Sequence, residues 1–239
     1  MNKETILNEL NKIFIDDIAE IIVNEVIFTP KTKKELQIAV DKWCKYKKDA
    51  LKDYGPINTW DTSLITNMTS LFNEKKYFND DISNWNVSNV ETMSNMFDGA
   101  ISFNQPLNNW DVSNVVDMYS MFNNARSFNQ PLNNWDVSNV TNMWSMFEKA
   151  RSFNQDISNW NVSNVEDMCD MFSCAVVFNQ NIGNWNVSNL EYAGRMFECA
   201  LSFNQNLDNW NLSNIDYNTD MFNGSGMKTL PVWYVDYQY

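Results

Sequence analysis

The chain has no histidine and only four cysteines among its 239 residues. Without histidine it lacks the commonest general base and the commonest zinc ligand. The cysteine spacing does not resemble a disulfide framework, so reduced thiols are expected. Long apolar runs are also missing. Stretches such as Ile21-Ile22-Val23 fall far short of the roughly 20 residues that a membrane-spanning helix needs. The start, Met1-Asn2-Lys3-Glu4-Thr5, carries an early acid and no apolar core of signal-peptide length. An intracellular (cytoplasmic) or virion location is the expectation. Basic residues are scarce beyond position 55: residues 56–239 hold twenty acids against four Lys and three Arg, whereas residues 1–55 balance ten acids with ten Lys. The formal net charge is −13. A surface this acidic repels phosphate backbones and anionic membranes, so nucleic acid and lipid are disfavoured as partners. A protein with a basic patch, or a cation, suits it better.

What the chain does have is repetition. Trp recurs at 60, 85, 110, 135, 160, 185 and 210, and Phe at 72, 97, 122, 147, 172, 197 and 222. A second Phe recurs at 78, 103, 128, 153, 178 and 203. No insertion disturbs the 25-residue phase. Self-similarity this strict means a stack of like units, each burying its face against the next. In the unit that starts at Ile82, the spacing of Ile82, Trp85, Val87 and Val90 predicts a short strand with Trp85 and Val87 inward. Met93, Met96, Phe97 and Ala100 fall at i, i+3, i+4 and i+7, which predicts a two-to-three-turn helix. Ser88 with Glu91, Ser163 with Glu166, Ser188 with Glu191 and Ser213 with Asp216 have capping-box spacing, so those acids are read as structural rather than catalytic. The Trp column is expected to dominate stability. Asn84 and Ser88, with their equivalents, are expected to form polar ladders beside it.

The strand half has the L-x-x-L-x-L spacing of leucine-rich repeats, with Trp and Val in place of Leu. The full unit, from Phe128-Asn129-Gln130-Pro131-Leu132 through Trp135 and Val140 to Met146-Phe147, resembles the BspA-like, DUF285 repeat family. The resemblance spans about residues 54–226. It implies an α/β fold: a right-handed leucine-rich-repeat-like solenoid of seven 25-residue coils with a helical N-terminal cap. Proteins resembling this occur on bacterial surfaces and in mycoplasmas, protists and large DNA viruses. The resemblance implies neither a reaction nor a cofactor.

The expected division is a helical cap over residues 1–55, the repeat array over 56–226 and a C-terminal cap over 227–239. Thr32 to Tyr54 reads as one helix, with Leu36, Val40, Trp43, Lys47, Leu51 and Tyr54 on one face and a Lys-rich opposite face. Phe14 to Ile22 resembles the start of an F-box without its usual Pro. The aromatic tail, Trp233, Tyr234, Tyr237 and Tyr239, is expected to fold over the last coil.

Candidate sites are few. Cys174 and Cys199 share one repeat position and should stack as adjacent thiols, with Cys169 nearby. A disulfide or soft-metal site is the alternative. Asp111 and Asp136 are neighbours on an outward position. They read as a solvated polar ladder, with a hard-cation site as the alternative. Among the variable slots, Tyr119 and Trp144 beside Arg126 and Arg151 form a candidate partner-binding patch, because these residue types dominate binding energies. The expected function is therefore a non-enzymatic protein-interaction or structural scaffold, such as a component of a virion or other large assembly. An F-box-like adaptor and a surface adhesin are the alternatives. No catalytic residue, metal or cofactor is expected.

Overall fold

The computed structural model describes residues 27–235. Its architecture is one pattern repeated. Parallel bridges join Asn67 to Thr92, Thr92 to Asp117, Asp117 to Asn142, Asn142 to Asp167, Asp167 to Tyr192 and Tyr192 to Tyr217. Each bridge links residues 25 apart, so every unit lies in register on the one before it. The F-box-like segment and the last two tyrosines lie outside the described residues.

Aromatic columns run through the stack. Phe72, Phe97, Phe122, Phe147, Phe172, Phe197 and Phe222 stack nearly parallel at 5.4–5.8 Å between centroids. The second Phe of each unit packs on the first at 3.9–4.1 Å. The Trp column is buried beside them. Each indole N–H from Trp85 to Trp210 also donates to a buried carbonyl 28 residues earlier, as Trp135 does to Leu107 at 2.8 Å. A buried donor needs such a partner, and this bond ties each coil to its predecessor.

The structure corrects the internal anatomy of the unit. Past Thr59, no α-helix and no extended strand occurs among the described residues; the units are built from turns around the bridge. The segment expected as a helix donates its amides alternately. Met93, Asn95, Phe97 and Gly99 donate to carbonyls of the next coil at 2.7–3.0 Å, while Met96, Asp98 and Ala100 donate three residues back within their own coil. Left-handed residues make the alternation possible. Asn95 has φ 56° and Gly99 φ 68°, and both positions stay left-handed in every unit from Ser70 and Glu74 to Asp220 and Gly224. A helix aims all its amides along its own axis. Here alternate amides point along the stack instead, and the coils bond to each other.

The capping box is corrected for the same reason, since there is no helix in the unit to cap. The Ser88 amide donates to Asn86 Oδ1 at 3.1 Å, and the Glu91 amide donates to the Thr66 carbonyl of the preceding coil at 2.8 Å. The polar ladder with the most regular bonds is one residue past Ser88. Asn89, Asn114, Asn139, Asn164, Asn189 and Asn214 each donate Nδ2–H to the preceding coil's serine carbonyl at 2.7–2.8 Å. A further ladder explains the F-N-Q motif: the amides of Asn104, Asn129, Asn154, Asn179 and Asn204 each donate to the Oδ1 of the Asn 25 residues earlier.

At the N-terminal side, α1 (Lys33–Lys45) and α2 (Lys47–Tyr54) replace the single expected helix. The chain breaks at Tyr46, with φ −136° and ψ 59°. Thr32 caps α1 by accepting from the Glu35 amide at 3.2 Å. Leu36, Ala39, Val40 and Trp43 are buried. Trp43 meets Trp60 at 5.8 Å and donates to Asp80 at 2.8 Å, so α1 covers the first coil. The break leaves Leu51 exposed and lets Lys47 reach Asp80 at 2.5 Å. At the other end Trp233 continues the Trp column. It stacks on Trp210 at 6.3 Å and donates to the Leu207 carbonyl at 2.7 Å, while Tyr234 packs edge-on against Phe222.

Candidate interaction surface

The columns use up the inward positions, so any surface chemistry comes from slots that change between coils. One such slot lies two residues past each bridge: Thr69, Ser94, Tyr119, Trp144, Cys169, Gly194 and Thr219. Tyr119 and Trp144 meet there edge to face at 5.4 Å. Trp144 is 41% exposed, although its indole N–H reaches toward Asp170 Oδ2 at 3.4 Å. Asp170 is nearly buried and holds the next coil's Arg195 through two hydrogen bonds, at 2.9 and 2.7 Å. A forked pair of this kind is rigid and directional. It raises the Arg195 pKa and fixes a guanidinium at the edge of the aromatic pair.

The aromatic character continues along the stack. Tyr192 and Tyr217, both in the bridge slot, are each 40% exposed. Gly194 makes room for Tyr217, because a Cβ there would sit 1.9 Å from the Tyr217 ring. An open groove of about 420 Å³ beside the aromatic pair is lined by Tyr119, Trp144, Glu148, Lys149, Asp170 and Arg195, among others.

The predicted patch is thus brought together in part. Tyr119 and Trp144 touch. Arg126 and Arg151 are exposed one coil apart but do not line this groove, and the Arg126 Nε–H donates to Asn124 Oδ1 at 2.8 Å. The cations that do line it are Lys149 and Arg195. Arg195 was missed because it stands in a slot that holds Ser, Asn or Asp in the other units. A lone Arg at a position suited to left-handed backbone was the available signal.

The other candidates have structural uses. Asp111 Oδ1 and Asp136 Oδ1 accept from the amides of Ser113 and Ser138 at 3.1 and 3.0 Å, and Asn stands in the same role in other units. The hydroxyl and amide of Ser138 pull the Asp136 pKa below the usual carboxylate range. No group of three or more His, Cys, Asp or Glu side chains placed to hold a metal occurs among the described residues. None of their helices is long and apolar enough to cross a membrane.

These features define a tandem-repeat protein whose units stack in register on recurring aromatic columns, with large changes of side-chain character in its surface slots. The family described as "Mycoplasma protein of unknown function, DUF285" matches residues 42–152 and again 131–231. The chain belongs to the DUF285 family. No curated protein and no solved structure matches it.

Proposed function

We propose that this chain is a non-enzymatic protein-interaction scaffold: a right-handed, leucine-rich-repeat-like solenoid that binds a protein partner through the Tyr119–Trp144 face. The observation that carries this reading is the aromatic pair of exposed Trp144 and half-buried Tyr119, in a slot held by Thr or Ser in the coils before it. Two large aromatics left partly in water stabilise the fold less than they would if buried. They are the residue types that anchor interfaces, here with the fixed Arg195 guanidinium at their edge. The in-register parallel bridges support a solenoid, and the right-handed sense follows the usual preference of crossover connections between parallel segments. The α1–α2 pair and the Trp233 tail serve as its caps, shielding the apolar ends of the stack. The net charge of −13 suits a partner with a basic patch.

The test is quantitative affinity capture from the native source with the wild type and with a Tyr119→Ala/Trp144→Ala variant. Both side chains lie outside the aromatic columns, so the variant should keep the wild-type melting temperature within about 2 °C, as surface substitutions do. It should lose one or more partners by tenfold or more, because two anchors at about 1–2 kcal/mol each give at least that. An unchanged partner set would sink the reading.

A further inference from the structure

Cys174 and Cys199 occupy the same left-handed slot in successive coils, with φ 56° and 55°. Their backbones are locked in register. The Cys174 amide donates to the Glu198 carbonyl at 2.7 Å, and the Cys199 amide to the Asn223 carbonyl at 2.8 Å. Burial, and then the neighbouring Cys174 thiol, raise the Cys199 pKa. In this slot the column reads Lys149, Cys174, Cys199, Gly224. Gly224 leaves the far side of Cys199 open: a Cβ there would lie 3.4 Å from the Cys199 sulfur. Cys199 is exposed and Cys174 is half-buried beneath it. The remaining cysteines lack this arrangement. Cys44 is on α1, and Cys169 is half-buried, its thiol pushed up to about 12 by burial.

We propose that Cys174 and Cys199 are a reversible disulfide site, closed by exchange with a small-molecule disulfide. The Cys199 thiolate attacks one sulfur of the reagent, forming a mixed disulfide and expelling one small thiolate. The Cys174 thiolate then attacks Cys199 Sγ and expels the second. The two cysteines are oxidised by two electrons, the reagent is reduced to two thiols, and the two cysteine protons end on those thiols. In-register parallel neighbours lie about 4.8 Å apart, inside the Cα separation of about 4.4–6.8 Å that disulfides use. Because both residues have the same backbone conformation, their Cβ atoms keep that spacing, slightly beyond the usual range of about 3.5–4.5 Å. Closing the bond must draw two coils together, and the strain makes it readily reduced.

The test treats the folded chain with excess oxidised glutathione and reads intact mass and non-reduced tryptic fragments. The expected product has lost two hydrogens and links fragment 152–195 to fragment 196–228. Cys169→Ser should keep the link. Cys174→Ser should trap a glutathione adduct on Cys199, because the resolving thiol is gone. Excess reduced glutathione should reopen the wild-type bond within the folded state. The proposal is overturned if the native chain carries only single glutathione adducts, if the link survives in Cys174→Ser, or if Cys199 instead joins two chains.

Discussion

The indole at each repeat serves two needs, and a smaller aromatic meets only one. Trp135 fills its place in the column, stacked on Trp160 at 6.5 Å, and its N–H satisfies the Leu107 carbonyl of the coil below. Trp135→Phe keeps a ring but leaves a buried carbonyl short of a donor and a void where the second ring stood. The expected loss is about 2–3 kcal/mol, from an unmet buried acceptor plus a partial cavity. For a chain of this size that is a fall of about 4–12 °C in melting temperature, readable by near-UV circular dichroism. A shift under about 1 °C would show that the indole N–H contributes nothing. This level was the most legible in the sequence. The 25-residue period alone identifies the buried Trp and Phe columns, because an invariant aromatic at fixed spacing has nowhere to go but inward. The partners of the indoles were not legible, since a backbone carbonyl leaves no mark on side-chain identity.

The turn segment is where sequence and structure part. Met93, Met96, Phe97 and Ala100 have helical spacing, yet they also point inward from a chain of linked turns, because turns closed three residues back place nearly the same positions inside. Periodicity could not separate the two. The left-handed slots could have done so: Ser70, Asn95, Ser120, Ser145, Asp170 and Asp220 form one set, and Gly99, Asn124 and Gly224 belong to the other. Residues tolerant of positive φ four apart argue against a helix interior. At the surface, the Tyr119–Trp144 pair was legible from its shared slot, but the Asp170–Arg195 fork was not, because a buried acid looks like any other surface acid in sequence. The slots also carry a testable cost. Glu74 has φ 56° and pairs only at the surface, with Lys76 at 3.5 Å, whereas the next coil uses Gly99. Glu74→Gly should relieve about 1 kcal/mol of left-handed strain against a surface ion pair of little worth, and raise the melting temperature by about 2–4 °C. Gly99→Ala should destabilise, through the same left-handed strain and because its Cβ would lie 2.5 Å from the Glu74 carboxylate unless that side chain moves aside. If both substitutions destabilise equally, the strain account fails.

For the whole molecule, the absence of any insertion means that each coil meets its neighbours through the same column and ladder contacts. Stability is then a sum over nearest-neighbour interfaces, and one unit can be removed without altering the others. Deleting residues 157–181 joins Asp156 to Ile182. Trp135 then stands directly below Trp185, and Phe147 below Phe197, with every ladder kept in phase. The shortened chain should fold, unfold in one transition and lose the contribution of one interface together with the Asp170–Arg195 fork. Deleting residues 157–180 removes one residue fewer and leaves the cut one residue out of phase. The indole of Trp185 then no longer meets a carbonyl 28 residues earlier, and the asparagine ladders miss their acceptors. Buried polar groups left without partners cost about 1–3 kcal/mol each, and several would be lost at that junction. The in-phase deletion should therefore show native near-UV dichroism and a moderately lower melting temperature, and the out-of-phase one a broad, early or split transition. If the two deletions melt alike, the stack tolerates slippage and the register is not set by the ladders.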